Sequence, residues 1–501
     1  MISENEKEII DIIDKSGPML STKLINILES RGLNRPTARQ RIHRCSIIKR
    51  LELTFTGRQS FIYLSDQLGT RVFHTSLRNS LDSTGSTYGS VLHILDLLKI
   101  IPEKTFPTFC GNPFDELGSH IVSDEMLRVL IKTELVSRVQ IPGIGPCISV
   151  IGSDLKKKEI AKIQGRLKGE ELLIKAFEDW SEKLGIVSFE APTTRESKPD
   201  FCHYNWDFVG PSYVGTMPKC KKGINAEPNF VIADIIGAPV SNPQQIKYFL
   251  DKVKTINHLN HRPYLAFLIA NKFERKAFNL RSSVRAVFTT PEILFGKTFA
   301  IGIKQYIDLF TKDLSELQKD PNLLKDTFKK LEQYKGVLGD IRGKMFEIIV
   351  GETLSKKGDN CFLREIITHQ EHETKNTVTE IDVLAKSGNE KRILVVECKG
   401  ILKSNKTGLD EVKKWFEDKV PIVRSWLFNC GRFPGLEETE FEFWTTGEFS
   451  KDALDYMEER KMKLRNYCID WKEREQVLEF IRKHGTKNSL EILNVNYKKD
   501  P

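Results

Sequence analysis

The chain has 501 residues, is 40% hydrophobic and 29% charged, and carries a formal charge of +9 from 77 Lys+Arg against 68 Asp+Glu. That composition is ordinary for a globular chain of three or four domains, and the mild basic excess is compatible with a nucleic-acid partner. No apolar run approaches the ~20 residues that span a bilayer, the start, MISENEKEII, has no secretory pattern, and the nine cysteines (45, 110, 147, 202, 220, 361, 398, 430 and 468) form no CxxC pair, so the spacing of a zinc ribbon or redox pair is missing and reduced thiols in a cytoplasmic setting are expected.

Residues 1–65 read as three helices and a hairpin. NEKEIIDIIDKS places Ile9, Ile10, Ile12 and Ile13 at helical spacing. The segment GPMLSTKLINILESRG lies between Gly17-Pro18 and Gly32, and RPTARQRIHRCSIIKR has Pro36 at its start. LELTFTGRQSFIYL follows as two short strands around Gly57-Arg58. This order is the winged-helix pattern, whose third helix enters the major groove. Arg35, Arg39, Arg41, Arg44, Lys49 and Arg50, with Arg58 in the hairpin turn, form a candidate phosphate-contacting face without an acid between 35 and 50. Such modules also mediate protein contacts, and a basic helix is often simply solvated.

Residues 66–88, rich in Ser, Thr and Gly, read as a connector. A second helical set over 86–153, ending in a hairpin around PGIGP, suggests another winged helix with few basic residues on the helix that would read DNA. Residues 154–300 open with a long amphipathic helix and continue with the strand-like NWDFVG, NFVIADIIGA and YLAFLIA. Residues 301–342 are a helical linker, and residues 343–485 give helix, strands, helix, strand and helix. The polar tail after Gly485 is expected to be loosely ordered. The fold class is multidomain, α+β and α/β.

The most informative stretch is TEIDVLAKSGNEKRILVVECKG, residues 379–400. Strand alternation puts Glu380, Asp382 and Leu384 on one face, and Ile393, Val395, Glu397 and Lys399 on one face of the next strand. SGNE between them is a turn signal. If the strands pair, Asp382 stands beside Glu397 and Lys399. Charges in a sheet interior are costly unless they are paired or hold a metal. Two carboxylates at a strand end make a hard-oxygen site suited to Mg²⁺ or Mn²⁺, and a neighbouring lysine can orient or deprotonate an attacking water. The bland alternative is a buried ion network, which desolvation makes a weak source of stability.

Asp382 followed by Glu397-Cys398-Lys399 at the end of an apolar strand resembles the PD-(D/E)XK motif of restriction-endonuclease-like nucleases. Ile381 stands where the motif name has proline. The resemblance implies an acid on the preceding helix, and Glu347 in GKMFEIIVGETLSKKG matches that position. It also implies that DEVKKWFEDKVPIVRSWLF is the helix after the core strands, and that the segment from FEFWTTGEFS onward closes the sheet. Glu347, Asp382 and Glu397 would then hold the metal and Lys399 would assist the water.

FVIADIIG (230–237) is a fainter echo of LVVECKG (394–400). Asp234 falls on Glu397, Ile236 on Lys399 and Gly237 on Gly400, while Asp207 in YNWDFVG falls on Asp382. The acid on the preceding helix is open among Glu170, Glu171 and Glu178, and Asp200 is a weaker candidate than Asp207. The 154–300 segment is therefore expected to be a degenerate, nuclease-like scaffold. The combined expectation is a Mg²⁺-dependent endonuclease of restriction or anti-phage type acting on double-stranded DNA. With one complete site per chain, a homodimer or higher assembly is expected. A separate ATPase or methyltransferase partner is compatible, since the chain has no GxxxxGK[ST] motif. The alternatives are a non-catalytic DNA-binding scaffold and a repair nuclease for branched DNA or RNA.

Overall fold

The computed structural model describes the chain except residues 1–3, 54, 56, 58, 119, 142, 151–155, 190, 215–228, 260–261, 285, 321, 333, 335–337, 373–374, 388–391, 430–437, 465–466 and 499–501, together with the side chains of 157, 366, 368–372 and 375–378. Arg58 and residues 388–390 of the expected turn lie outside the described residues. The architecture is mixed α+β, with several small sheets. Among the described residues no helix is long and apolar enough to cross a membrane.

The N-terminal helices Glu4–Ser16, Ser21–Ser30 and Arg35–Arg44 bury Ile9, Ile12, Ile13, Leu24, Leu28, Ala38 and Ile42 in one core. A three-stranded sheet, ordered Met19–Leu20, Phe61–Tyr63, Lys49–Arg50, closes this core. Asn34 caps the third helix by accepting from the Thr37 amide at 2.9 Å.

The stretch expected to be a connector instead contains the helix Arg71–Thr84. Local chemistry explains it. Thr70 caps the start by accepting from the Phe73 amide, and Gly85 ends the helix at φ 65°. Phe73, Leu77 and Leu81 recur every four residues and are buried. The Ser/Thr content masked this apolar stripe. The helices Thr87–Leu98 and Ser123–Lys132 follow, with an antiparallel sheet ordered Ile100–Pro102, Gly145–Val150, Val136–Ile141.

Two five-stranded sheets dominate the remainder. The first runs Thr193–Thr194, Phe208–Ser212, Asn229–Val240, Tyr264–Phe273, Val287–Thr289. The second runs Asn360–His372, Lys375–Lys386, Arg392–Lys399, Glu438–Thr445, Cys468–Lys472. Both sheets have the same sequence of pairings across the order given: antiparallel, antiparallel, parallel, parallel. A long helix precedes each, Lys157–Lys183 before the first and Leu338–Lys357 before the second. One face of each sheet packs into a common core with these two helices and Lys297–Thr311. The far face of the second sheet is covered by the helical run Leu409–Asn429 and by Lys451–Lys463.

The tail is also more ordered than its polarity suggests. Lys487–Asn496 is a helix, and Ile492, Leu493 and Tyr497 are buried. The Tyr497 hydroxyl donates to the Arg342 carbonyl, and Arg342 Nε donates to the Asn496 carbonyl at 2.7 Å. Ile492 and Leu493 of the helix, with Tyr497 just beyond it, supply the apolar contact that docks the segment.

Candidate functional site

The strand Arg392–Lys399 buries Ile393, Leu394, Val395 and Val396, which makes it the apolar centre of the second sheet. Its antiparallel ladder with Lys375–Lys386 has Val383 opposite Val396 as its last rung. Asp382 and Glu397 are the next residues on the two strands, so both carboxylates emerge where the ladder opens. Asp382 Oδ2 accepts the Cys398 amide at 2.8 Å, which uses an otherwise orphaned strand donor to orient the acid.

The helix Leu338–Lys357 is held against this strand end by Gly400. A Cβ at position 400 would stand 2.5 Å from the Arg342 carbonyl oxygen, so only glycine permits the approach. The contact brings Glu347 to the acids. Glu347 pairs with Lys344 at 2.5 Å. Burial pushes the Glu347 carboxyl up to about 7, with Asp382 and Glu380 adding to the shift and Lys344 opposing it. Burial also pushes Glu397 up to about 7, reinforced by Asp382 and opposed by Lys419. Glu347, Asp382 and Glu397 thus act on one another electrostatically at one sheet end.

The cation found there is Lys419. Its ammonium contacts Glu397 Oε2 and lies 3.7 Å from Asp382 Oδ1. Lys399 instead pairs with Glu411, both about two-fifths exposed, at the rim of the same region. Residue-by-residue reading singled out Lys399 and missed Lys419, although a signal was present. Val412, Trp415, Lys419 and Val423 fall three and four apart, and the other three are buried, so a lysine stands in an apolar stripe.

A cleft of about 810 Å³ opens beside the site, lined by Glu347, Asp382, Lys399 and Glu380 on one wall and by Lys168, Lys175 and Arg195 on the other. The hairpin of the 86–153 segment reaches this cleft. At Gly143, with φ 69°, a Cβ would stand 2.7 Å from Glu380 Oε2.

The first sheet repeats the geometry with different partners. Asp207 Oδ2 accepts the Ile235 amide at 2.8 Å, matching the Asp382–Cys398 contact. This equates Asp234 with Glu397 and Ile236 with Lys399; Ile236 is fully buried. Of the three candidate helix acids, Glu170 is the buried one, and it accepts the Gly237 amide at 3.0 Å. Glu171 pairs with Lys168 instead, and Asp200 is exposed. Arg195 bridges the two acids, meeting Asp207 with two donors at 2.7 and 2.9 Å and Glu170 at 2.7 Å. Lys252 meets Asp234 at 2.7 Å, with both side chains fully buried. Burial opposes ionisation of Glu170, yet Arg166 and Arg195 hold its carboxyl below the usual range. Burial pushes Asp234 up to about 7, against the pull of Lys252.

On the basic N-terminal face, Arg39, Arg44 and Lys49 are exposed. Arg35 pairs with Glu29 and Arg41 with Glu8, at 3.4 and 3.3 Å, while Arg50 donates to the Ile42 carbonyl at 2.8 Å.

Among the described residues no group of three or more His, Cys, Asp or Glu side chains stands ready to hold a metal ion. The oxygen donors of Asp382 and Glu397 nonetheless converge on one cationic nitrogen, which fits a hard divalent cation in chemistry.

No protein-family model and no curated protein matches this chain. It is similar to the crystal structure of a protein of unknown function, AF1548, with 18% identity and a TM-score of 0.19 over 27% of this chain. The chain spans 64% of the length of AF1548. It is also similar to the restriction endonuclease FokI, with 12% identity and a TM-score of 0.18 over 94% of this chain and 84% of that one.

Proposed function

We propose that the chain is a divalent-metal-dependent DNA endonuclease of restriction or anti-phage type. In this reading residues 343–485 form a restriction-endonuclease-like cutting domain, 154–300 a degenerate copy, and 1–65 a winged-helix DNA-reading arm. The observation that carries it is the convergence of Asp382 and Glu397 on a single ammonium at the end of the central strand, with Glu347 delivered by the preceding helix. Asp382, Glu397 and Glu347 would hold Mg²⁺ or Mn²⁺, and such an ion would supply water activation and charge neutralisation at the scissile phosphate. Lys399, on the cleft wall, orients or deprotonates the attacking water. The cleft receives the phosphodiester backbone.

The first sheet keeps the acids and answers them with buried cations. Arg195 pairs with Glu170 and Asp207, Lys252 pairs with one oxygen of Asp234, and Ile236 can neither orient nor deprotonate a water. One competent centre per chain cuts one strand, so double-strand cleavage calls for a homodimer or higher assembly. The exposed Arg39, Arg44 and Lys49 supply phosphate contacts.

The test is cleavage of supercoiled plasmid, methylated and unmethylated, by the purified chain with Mg²⁺, with Mn²⁺ and with EDTA. Metal-dependent nicking or linearisation is expected. No cleavage of plasmid, branched DNA, single strands or RNA under any of these conditions leaves the non-catalytic scaffold reading in its place.

Two further outcomes follow from the same reading. Substituting both Arg39→Glu and Arg44→Glu is expected to weaken duplex binding roughly tenfold or more and to reduce the salt slope by about two. Fluorescence anisotropy across a salt series measures both, and an unchanged slope moves the DNA contact elsewhere.

Metal affinity should also depend on pH. Glu347 and Glu397, raised to about 7, hold protons below that pH. A divalent ion needs both ionised, so its affinity should rise by up to about a hundredfold from about pH 6 to about pH 8. In the metal-free protein the sign reverses. A carboxyl whose folded pKa lies above its ordinary 4.5 stabilises the fold at low pH, and that contribution is lost as pH rises through about 7. Calorimetric Mn²⁺ titration at both pH values checks this, and a flat profile removes the two glutamates from the ligand set.

A further inference from the structure

The two sheets place a lysine at the same point by the same means. In the first, Lys252 comes from the helix Lys247–His258 that follows the central strand, and it meets Asp234. In the second, Lys419 comes from the helical run that follows the central strand, and it meets Glu397. The matched Asp207–Ile235 and Asp382–Cys398 hydrogen bonds fix the correspondence.

The settings of the two lysines differ. Lys252 is fully buried, and its ammonium also donates to the Thr108 and Asn205 carbonyls at 3.2 and 2.9 Å, so all its protons are committed. Arg195 closes the remaining acids beside it. Lys419 keeps 18% of its side chain exposed and meets the two acids from a π-helical turn, Lys414–Lys419, that departs from the flanking α-helix. Single π-turns of this kind are often found at functional sites. Its contacts are with the same two carboxylates that the proposed function assigns to the metal.

We propose that Lys419 is an internal counterion: it fills the cation position between Asp382 and Glu397 in the metal-free protein and is displaced when a divalent ion binds. This rests on the reading of Asp382 and Glu397 as metal ligands. Two half-buried carboxylates beside one another repel, and an ammonium between them keeps the strand end together. The same ammonium competes with the metal, because both need the same oxygens. It therefore sets the metal concentration at which the site loads. Lys399, paired with Glu411 at the exposed rim, leaves those oxygens free and has no such effect on loading.

The experiment is direct Mn²⁺ binding to the full chain without DNA, read by electron paramagnetic resonance of free Mn²⁺. Lys419→Met removes the competitor and is expected to bind Mn²⁺ roughly tenfold or more tighter than wild type. Lys419→Arg keeps the charge and offers a bidentate fork, and is expected to bind Mn²⁺ several-fold more weakly, by roughly the strength such a fork adds. Asp382→Asn serves as the control that abolishes binding. Wild-type binding that Asp382→Asn abolishes, with unchanged or weaker binding by Lys419→Met, overturns the counterion role and leaves the metal site standing. Absence of binding in both wild type and Lys419→Met overturns the site and the counterion together. If Lys419→Met does not fold, Lys419→Arg decides alone: affinity equal to or tighter than wild type overturns the proposal.

Discussion

Asp382→Asn should lower single-turnover plasmid cleavage by roughly 10²–10³-fold or more while leaving the chain folded, a loss of the size expected when charge stabilisation at the reacting phosphate is removed. The amide oxygen still accepts the Cys398 N–H that Asp382 Oδ2 takes at 2.8 Å, so the strand end keeps its hydrogen bond. The negative charge facing Lys419 is gone, and with it half of the carboxylate pair that would hold the metal. Lys419 retains Glu397, so no buried charge is stranded. Circular dichroism and thermal unfolding should match wild type closely. Activity within tenfold of wild type would remove Asp382 from the chemistry and, with it, the proposed centre.

Arg195→Met should cost about 3–5 kcal/mol of stability, the usual consequence of stranding buried charges by deleting their partner. Arg195 supplies the donors that satisfy Asp207 and Glu170, and both acids are fully buried. Arg166 still reaches Glu170 at 2.7 Å, so Asp207 bears most of the penalty. The loss should shrink in acid. A buried carboxylate deprived of its counter-charge costs less when neutral, so the penalty is smallest in acid and grows as pH rises. Denaturant titration of the full chain at about pH 5 and about pH 8 measures both effects. A loss below about 1 kcal/mol at the higher pH would mean that water already solvates these acids, and that the cluster is an open site, not a closed one.

These two substitutions probe opposite fates of one arrangement. In the first sheet the acids are answered by cations that are buried and fully bonded, so the arrangement is structural. In the second they are answered by one partly exposed lysine, so the oxygens can be taken over by an ion. Gly237 and Gly400 mark the shared geometry. Each lets the preceding helix approach the strand end, against Glu170 in one case and the Arg342 carbonyl in the other. Alanine at either position would push that helix, and the acid it carries, away from the strand.

The helix Arg71–Thr84 and the docked tail show why composition misled where pattern did not. Polar residues, Ser, Thr and Asn among them, outnumber apolar ones in both segments, yet a few apolar residues at the right spacing decide whether a helix finds a core. Thr70 and Thr486 then act as caps, a use of those residues that residue counts do not reveal.

Period-two alternation, the apolar run before Glu397 and the turn signal between the two strands were enough, from the amino-acid order alone, to set Asp382 beside Glu397 in a paired hairpin and to pick out Asp207 and Asp234 as their counterparts. Those features are local, and strand geometry converts them directly into position. Which cation answers each acid was decided only by tertiary structure. Lys419 reaches Glu397 from the middle of a helical run, at the end of a π-helical turn, and Arg195 reaches Glu170 from just beyond a separate strand; spacing marks Lys419 as a lysine in an apolar stripe but names the partner of neither cation. Charge pairing across elements depends on how helices cross the sheet, and that crossing is set by the packing of the whole core.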